Sequence, residues 1–392
     1  MDEYSVSETI DANELARSAP RSQGWLSRRY AAQLAKADVV INGPRPWDLQ
    51  VHDARLFRRC LLRGTLGLGE AYEEGWWDTA NLEEFFARVV AARLDESLPN
   101  LPRTFNRWLA RLINAQTLVR ARRVAVEHYD LDNDLYASML DPRMVYTCGF
   151  WQTARTLAEA QEAKLELVCR KLGLEPGMEV LDIGCGWGSF AAYAAQRHGV
   201  RVTGITISRA QADLARQRCD GLPVRILLED YRQTDGRYDR IVSLGMFEHV
   251  GHKNARGYLE AARRLLASDG LFLLHTIGRN DQGAGIDPWV TRYIFANSEI
   301  PSLAGLSHAL DRLFVLEDVH NLGADYAPTL LAWRDNFERH WPLFASRLGE
   351  RFRRRWFYYL SLFAGVFRAR GLQVWQCLLS PTGVPGGYRR PA

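Results

Sequence analysis

The chain has 392 residues, of which 47% are hydrophobic and 24% are charged, and its formal net charge is +4. This composition suits a globular protein of about two domains, and no stretch approaches the roughly 20 apolar residues of a membrane span. The acidic start Met1-Asp2-Glu3 precedes no apolar segment, so we expect no secretory signal. The six cysteines form no Cys-x-x-Cys pair. We therefore expect neither a disulfide framework nor a zinc site, and a cytoplasmic location.

The first part of the chain, residues 1–122, predicts a smaller and mainly helical domain. It is polar and rich in Ala and Arg up to about residue 37, and short apolar pieces follow up to residue 77. The residues that break these pieces are Asn42-Gly43-Pro44, Pro46, Gly64, Gly67 and Gly69. They predict turns between short elements. The aromatic and acidic segment 67–77 carries no catalytic set, which indicates a packing role.

Two helices are predicted between this region and the rest of the chain. Apolar residues recur at helical spacing over residues 82–93, and the proline-containing stretch 98–102 ends that pattern. Residues 104–123 then predict a connecting helix. We place the domain boundary beside it, between a first domain of residues 1–122 and a second of residues 123–392.

From residue 177 onward, strand and helix patterns alternate, which predicts a mainly parallel sheet with helices on both faces. The predicted strands are 179–183, 201–206, 224–228, 239–244, 271–276, 314–320 and 373–379. The predicted helices lie near 189–198, 209–219 and 255–266. Ligands of such sheets bind at the carboxyl ends of the strands. Asp182, Thr206, Glu229, Asp230 and the turn 245–249 should therefore face one crevice.

A glycine loop follows the first strand of this sheet. Asp182 precedes Gly184, Gly186 and Gly188 in a Gly-x-Gly-x-Gly pattern, and the next strand, 201–206, ends without a carboxylate. A dinucleotide fingerprint has Gly-x-Gly-x-x-Gly and an acidic residue there. The loop instead resembles motif I of S-adenosylmethionine-dependent methyltransferases. Dinucleotide binding and a purely structural turn are the alternatives.

Basic side chains cluster in three runs. They are Arg120, Arg122 and Arg123; Arg351, Arg353, Arg354 and Arg355; and Arg368 and Arg370. Solvated helix faces are one interpretation. The other is a surface that meets anionic phospholipid, because Trp356, Phe357, Tyr358 and Tyr359 follow the second run. We do not expect a nucleic-acid partner, since no recognised binding motif accompanies the charge.

Further motifs indicate the kind of chemistry. They are Glu127-His128-Tyr129-Asp130-Leu131-Asp132-Asn133-Asp134-Leu135-Tyr136, Met144-Val145-Tyr146-Thr147-Cys148-Gly149-Phe150-Trp151, Gly245-Met246-Phe247-Glu248-His249-Val250, His275-Thr276-Ile277-Gly278 and Gly323-Ala324-Asp325-Tyr326. Together with the glycine loop and segment 67–77, they resemble the cyclopropane-fatty-acid synthases along essentially the whole chain.

The resemblance implies an α/β fold: a seven-stranded, mostly parallel, Rossmann-like class I methyltransferase domain with a smaller helical N-terminal domain. It implies that a methylene from S-adenosylmethionine is added across the cis double bond of an unsaturated phospholipid acyl chain. It also implies a homodimer, peripheral at the inner face of the membrane. The first domain is expected to help in membrane engagement or dimerisation.

The reaction places a cation in the lipid chain, and one proton of the new methyl group must then be removed. Aromatic faces suit the cation, and the chain has 12 Trp, 15 Tyr and 16 Phe. The resemblance implies bound bicarbonate as the base. Its expected holders are the side chains of Glu248, His275 and Tyr326 and the backbone of Cys148 and Ile277.

The resemblance also implies the residues that contact S-adenosylmethionine. They are Tyr146, Thr147, Asp182, Gly184, Gly186, Thr206, Ile207, Gln211, Glu229 and Asp230. Ser208 is a predicted N-cap for the helix that carries Gln211, and Gln211 could reach the ribose. The sequence leaves open whether Glu229 or Asp230 meets the adenosine.

Other interpretations of these residues are weaker. Neighbouring Glu248 and His249 on a turn point apart, so we expect no metal site. No nearby pattern lowers the pKa of Cys148, so the sequence does not mark it as a nucleophile. The resemblance implies that this cysteine is a wall of the site. A related enzyme could quench the cation as a methyl-branched, hydroxylated or methoxylated lipid. A non-catalytic lipid-surface protein is the alternative from another class.

Overall fold

The structure is a computed structural model that describes residues 24–94, 133–281, 287–296 and 298–391. The predicted connecting helix, the domain boundary, the first basic run and residues 127–132 of the first motif lie outside these described residues. No helix in the described ranges is long and apolar enough to cross a membrane.

The first described segment is mainly helical, as predicted. It contains α1 (Trp25–Leu34), α2 (Arg55–Glu73) and α3 (Leu82–Ala91), and a two-stranded antiparallel ribbon of β1 (Gln50–Val51) and β2 (Trp77–Asp78). The Asn81 side chain caps α3 by accepting a hydrogen bond from the Glu84 N–H.

The prediction of turns at the glycine series was wrong, because α2 runs through it. Gly64 has a φ of +57° and produces a kink within the helix. A Cβ on Gly69 would lie 2.4 Å from Cδ1 of Trp289, so this glycine allows the indole to pack directly on the helix. Composition alone does not distinguish a packing glycine from a turn glycine.

A seven-stranded sheet forms the centre of the remaining chain, as predicted. Its strands are β3 (Glu179–Ile183), β4 (Arg201–Thr206), β5 (Val224–Leu228), β6 (Tyr238–Leu244), β7 (Leu266–Gly278), β8 (Val315–Asn321) and β9 (Gln373–Ser380). Their order is β5-β4-β3-β6-β7-β9-β8. Strands β3 to β7 pair in parallel, and β9 runs antiparallel to both β7 and β8.

Strand β7 is longer than predicted. It begins at Leu266 and not at residue 271, because Leu266 pairs with Tyr238 before a register shift in the ladder. The polar residues Ser268 and Asp269 and the following Gly270 interrupt the apolar pattern, although the strand continues.

Nine α-helices accompany the sheet in the part of the chain that the structure describes from residue 133 on. They are α4 (Asn133–Met139), α5 (Leu157–Leu172), α6 (Ser189–His198), α7 (Arg209–Arg218), α8 (Ala255–Leu265), α9 (Pro288–Tyr293), α10 (Leu303–Leu310), α11 (Gly323–His340) and α12 (Ala345–Arg368). Thr156 and Glu159 form a capping box at the start of α5, and left-handed Gly173 ends it. Ser208 caps α7 as predicted, accepting from the Gln211 N–H at 3.3 Å.

The second basic run is an internal set of ion pairs. Arg351 and Arg355 bind the buried carboxylate of Glu73, while Arg354 binds Asp78. Arg353 pairs with glutamates on α11 and α12. Carboxylates of the protein therefore engage all four arginines, which counts against a lipid-facing surface here, although Arg351 remains 58% exposed.

The aromatic residues behind this run belong to the core. Trp356, Tyr358 and Tyr359 are buried, and the Tyr358 ring lies 4.5 Å from that of Trp289. The same hydrophobic cluster contains Trp77 and Phe86 from the first segment. The described part of the first segment and helix α12 therefore share one core.

Candidate active site

All ten residues predicted to contact S-adenosylmethionine line one cavity of about 210 Å³. The cavity lies at the carboxyl ends of β3, β4, β5 and β6, which supply Asp182, Thr206, Glu229 and Gly245. Parallel strands bring their carboxyl ends to the same edge of a sheet, so residues far apart in the chain meet there.

The glycine loop forms the floor of this cavity. Gly184, Gly186 and Gly188 have φ values of +81°, +54° and +78°, a region that favours glycine. A Cβ on Gly186 would meet no atom within 4 Å, whereas a Cβ on Gly184 would lie 2.8 Å from Cγ of Met246. The loop thus provides a bare backbone for a ligand at the start of α6.

Polar groups at the end of β4 are held in a fixed arrangement. The Thr206 hydroxyl donates to Oε1 of Gln211 at 3.0 Å and accepts from the Ser208 N–H at 3.3 Å. With Oε1 of Gln211 engaged, its amide NH₂ is the group left to bind a ligand in the cavity. This arrangement fits the predicted contact of Gln211 with a ribose.

Two carboxylates at the end of β5 differ in their partners. Both oxygens of Asp230 accept from the Arg232 guanidinium, at 2.8 and 3.0 Å, and Asp230 is buried. Glu229 lines the same cavity and is half-buried. Both carboxylates line the cavity, but only Asp230 has both oxygens bound by an arginine.

Asp182 is buried at the end of β3, and burial raises its pKa to about 7, partly offset by the nearby Lys164 ammonium. Lys164 was not predicted as a site residue. It is fully buried, lines the cavity and donates to Oγ1 of Thr147 at 3.0 Å. Gln161, one turn earlier on α5, donates to the Thr147 carbonyl at 2.8 Å. The sequence signal that could have identified Lys164 and Gln161 is their position as polar residues on the apolar face of α5.

The five residues expected to hold bicarbonate do not line this cavity, although Cys148, Glu248 and His275 adjoin residues that do. Cys148 follows Thr147 in the chain, and the Gly245 N–H donates to the His275 carbonyl at 2.9 Å. Glu248 and Ile277 are in direct contact, with Oε1 of Glu248 accepting from the Ile277 N–H at 2.6 Å. The Ile277 N–H, expected to face the ion, thus orients Glu248 in this structure.

Glu248 has an unusual environment for a carboxyl group. Its side chain is buried, and Oε2 has no hydrogen-bond partner within the described residues. Burial raises its pKa to about 7, although the Ile277 N–H, its own backbone and the nearby Thr276 hydroxyl oppose this rise. An unpartnered buried oxygen is costly unless a further donor completes the site.

His275 and Cys148 are both uncharged in their buried positions. Burial, together with the charges of Lys164 and Lys171, holds the pKa of His275 well below its usual value. Burial also raises the pKa of the Cys148 thiol well above its usual value. The Cys148 sulfur lies 3.2 Å from the Gly149 carbonyl oxygen and 3.6 Å from that of Leu322, just before α11. A protonated thiol suits a wall of the site.

Aromatic rings connect the glycine loop with Tyr326 on α11. The ring centroids of Trp187 and Tyr136 are 5.1 Å apart, and those of Tyr136 and Tyr146 are 5.2 Å apart. Tyr146 lies 5.1 Å from Trp333, which lies 5.9 Å from Tyr326. A continuous series of aromatic contacts therefore runs from the glycine loop to Tyr326, within the core that the first segment shares.

The two side chains considered above as a possible metal pair, those of Glu248 and His249, point apart. Glu248 faces Ile277, whereas Nδ1 of His249 lies 3.4 Å from Oγ of Ser298. Within residues 24–94, 133–281, 287–296 and 298–391, no group of three His, Cys, Asp or Glu residues is arranged to hold a metal ion.

The strand order and the glycine loop at the end of the central strand define a class I methyltransferase fold. Residues 116–377 match the family model for mycolic acid cyclopropane synthetase, and the chain belongs to this family. It is therefore an enzyme that uses S-adenosylmethionine, as the motifs predicted.

Individual relatives agree with this assignment. Cyclopropane-fatty-acyl-phospholipid synthase of Escherichia coli strain K12 is 48% identical over 91% of this chain and 93% of its own length. Tuberculostearic acid methyltransferase of Mycobacterium tuberculosis is 32% identical over 96% of this chain and 95% of its own length. The crystal structure of a mycolic acid cyclopropane synthase with S-adenosylhomocysteine and CTAB has a TM-score of 0.62 and 32% identity, covering 66% of this chain and 97% of that one.

Proposed function

We propose that this enzyme converts the cis double bond of an unsaturated phospholipid acyl chain into a cyclopropane ring, with bicarbonate as the base. The observation that carries the proposal is the buried Glu248 carboxyl, with Oε1 fixed by Ile277 and Oε2 unpartnered in the described chain. Glu248 directly precedes His249, which lines the wall of the cofactor cavity together with Met246.

S-adenosylmethionine, when bound, supplies an electrophilic methyl group. The positive φ of Gly184 and the open space at Gly186 fit the close approach of its amino-acid end. We assign Gln211 to the ribose. We assign Glu229 to the adenosine, since both oxygens of Asp230 are bound by Arg232.

The alkene supplies its π electrons to the new carbon–carbon bond, and the sulfonium sulfur keeps the electrons of the bond that breaks. One proton then leaves the added methyl group, and its C–H electrons close the ring. The aromatic series from Tyr146 through Trp333 to Tyr326 supports stabilisation of the intervening cation and exclusion of water.

Bicarbonate would supply a base that is held by two donors and one acceptor. His275 and the Tyr326 hydroxyl offer donors to its oxygens, and Glu248 Oε2 offers an acceptor for its O–H. We assign to Ile277 the orientation of Glu248, and to Cys148 the wall of the site. Both assignments rest on the bonds that these residues make.

A second product has support of its own. The relative from Mycobacterium tuberculosis is named for tuberculostearic acid methyltransferase activity, and it aligns with almost the whole chain. The same cation could therefore end as a methyl branch here. The presence of Glu248, His275 and Tyr326 together favours ring closure in our proposal.

We further propose a homodimer in the cytoplasm, bound at the inner face of the membrane, with the division at residue 122 as the domain boundary. Exposed Trp25 and Leu62, with 62% and 57% of their surface accessible, support a role of the first domain at lipid. Leu62 follows exposed Arg58 by one turn of α2. Vesicle flotation of Leu62→Ser beside wild type tests the proposed contact of the first domain with lipid.

The decisive experiment combines purified protein, S-adenosylmethionine and vesicles of a monounsaturated phospholipid. Gas chromatography and NMR of the fatty acids should show a cyclopropane methylene, and depletion of bicarbonate should lower the rate reversibly. A methyl-branched product would favour the second candidate. Full activity without bicarbonate would reject the proposed base.

A further inference from the structure

Three polar side chains lie side by side across the sheet behind the proposed base site. His275 on β7 and His320 on β8 are each the cross-strand partner of Gln376 on β9. Gln376 is completely buried, and Nε2 of its amide lies 3.3 Å from Nδ1 of His275. Residues directly opposite each other in a ladder point to the same face of the sheet.

Lys171, near the end of α5, meets this row from above the sheet. Its side chain is 0% exposed, and Nζ lies 2.8 Å from Oε1 of Gln376 and 3.0 Å from Nδ1 of His320. Asp318, at 3.9 Å, is its ionic partner. Burying a lysine on a helix face that packs on the sheet lowers the stability of the fold unless its ammonium group is paired, as it is here by these contacts.

The orientation of the Gln376 amide follows from hydrogen-bonding capacity alone. An ammonium group only donates, so the atom that faces Lys171 must be the amide oxygen. The amide NH₂ then faces His275, and because it only donates, Nδ1 of His275 must accept. A neutral imidazole that accepts at Nδ1 carries its proton on Nε2.

The protonation states of the row agree with this sequence of bonds. Burial lowers the pKa of Lys171 to about 8, which leaves the ammonium form predominant at neutral pH. Burial and the Lys171 charge lower the pKa of His320 to about 4, so its neutral ring can accept from Lys171. The pKa of His275 also lies well below its usual value.

We propose that Lys171 and Gln376 are positioning residues that lock His275 in the tautomer with its proton on Nε2, so that the ring presents an N–H donor to the base. This inference rests on the proposed function for its catalytic consequence, but the tautomer itself is a property of the protein without ligands. Neither residue touches the substrate; both act through His275.

The tautomer can be read from the ¹⁵N chemical shifts of the imidazole nitrogens in the ligand-free protein. The chain has nine histidines, and the His275 signal is the one lost in His275→Gln. Wild type should show one neutral species with Nδ1 unprotonated. In Lys171→Met the amide is free to turn, so a mixture of both tautomers is expected. A proton on Nδ1 in wild type, or an unchanged tautomer in Lys171→Met, would overturn the proposal.

Gln376→Glu keeps the shape of the side chain but replaces the donor that faces Nδ1 of His275 with an acceptor. The carboxylate accepts from Lys171 and also from His275, so Nδ1 must be protonated. With a neutral ring, the Nε2 donor is lost, and kcat should fall about 10- to 100-fold, which is the value of one hydrogen bond to a charged group. The KM for S-adenosylmethionine should stay within about twofold, since these residues lie outside its cavity.

The variant also separates a positioning role from a structural one. If the ring becomes doubly protonated in Gln376→Glu, Nε2 keeps its proton, and kcat should stay within threefold of wild type. A large loss of activity in that state would refute the proposal. So would a full kcat with a neutral ring that carries its proton on Nδ1. Activity must follow the proton on Nε2.

His320→Gln is the matched control. It keeps an acceptor for Lys171, and the His320 side chain makes no hydrogen bond to the Gln376 side chain, so the His275 spectrum and kcat should match wild type. Altered kcat in this variant would overturn the assignment of the effect to the Lys171–Gln376 pair. Failure of the proposed function appears elsewhere, as a wild-type rate that does not depend on bicarbonate, and it leaves the NMR result unaffected.

Discussion

Replacing Glu248 with Gln should change how the stability of the protein depends on pH. The amide keeps an oxygen for the Ile277 N–H but cannot ionise. Burial raises the pKa of Glu248 from the usual 4.5 to about 7. The folded protein therefore holds this proton more tightly than the unfolded chain does. The stability that Glu248 contributes is fully present below about pH 4.5 and is lost as the pH rises through about 7.

The magnitude follows from the same two values. Between pH 5 and pH 8, proton linkage for a group with these unfolded and folded pKa values amounts to about 2.5 kcal/mol. Urea unfolding at pH 5, 6, 7 and 8 measures it as the difference between Glu248→Gln and wild type. This difference should move by about 2.5 kcal/mol in favour of the variant as the pH rises. Asp182 titrates in both proteins, so its contribution cancels.

Glu175 is exposed, so Glu175→Gln is the control. Its free energy of unfolding should differ from that of wild type by a constant amount from pH 5 to pH 8. If the free energy of unfolding of Glu248→Gln also stayed parallel to that of wild type across this pH range, the argument that this carboxyl is buried without a compensating partner would be refuted. The same variant should lose most turnover, because an NH₂ group would stand where the base needs an acceptor. Its affinity for S-adenosylmethionine by calorimetry should stay within about twofold, since the glycine loop is untouched.

Three further substitutions test the cofactor loop and the packing of the first segment. Gly184→Ala should weaken S-adenosylmethionine binding by at least about tenfold in calorimetry, because its φ is +81° and the added Cβ would meet the Met246 side chain. The control is Gly257→Ala, where an added Cβ would meet no atom within 4 Å. Glu73→Gln should cost about 3 kcal/mol in urea unfolding, because two arginines lose a buried partner, and unchanged stability would count against the ion-pair cluster. Gly69→Ala should cost about 1–3 kcal/mol by the same measurement, through overlap with Trp289, and a neutral result would contradict the packing role.

The central sheet was predictable because each strand is a short apolar run bounded by turn residues. The bounds of β3, β4 and β5 match the predicted residues. The start of β7 was missed because pairing across the ladder, which the sequence does not show, continues past Asp269 and Gly270. Helix α2 was missed for a related reason, since Gly69 packs against a tertiary partner, Trp289.

The cofactor cavity was also predictable in outline. Strand ends converge by topology, and the glycine loop marks the central one, so the sequence could place residues such as Asp182 and Thr206 at a common edge. The proposed base site was not predictable by this route. Glu248, His275 and Tyr326 come from three separate elements, and only the resemblance to a family grouped them before the structure was known.

Charge was the least reliable sequence signal. The run around Arg354 has the composition of a membrane-binding surface, yet its members bind carboxylates of the same chain. Sequence gives the number of charges but not their partners, and a carboxylate as distant as Glu73 can reverse the interpretation.

Helix α5 shows how buried charge can serve a site without touching the substrate. Along its buried face, Gln161 and Lys164 bind the carbonyl and hydroxyl of Thr147, while Lys171 binds Gln376. The first pair fixes a wall of the cofactor cavity, and the last residue acts on the histidine of the proposed base site. Apolar residues at these positions would spare the cost of burying two ammonium groups. Their presence is therefore best explained by orientation of the two halves of the site from one rigid element, so that the methyl donor and the base stay in register.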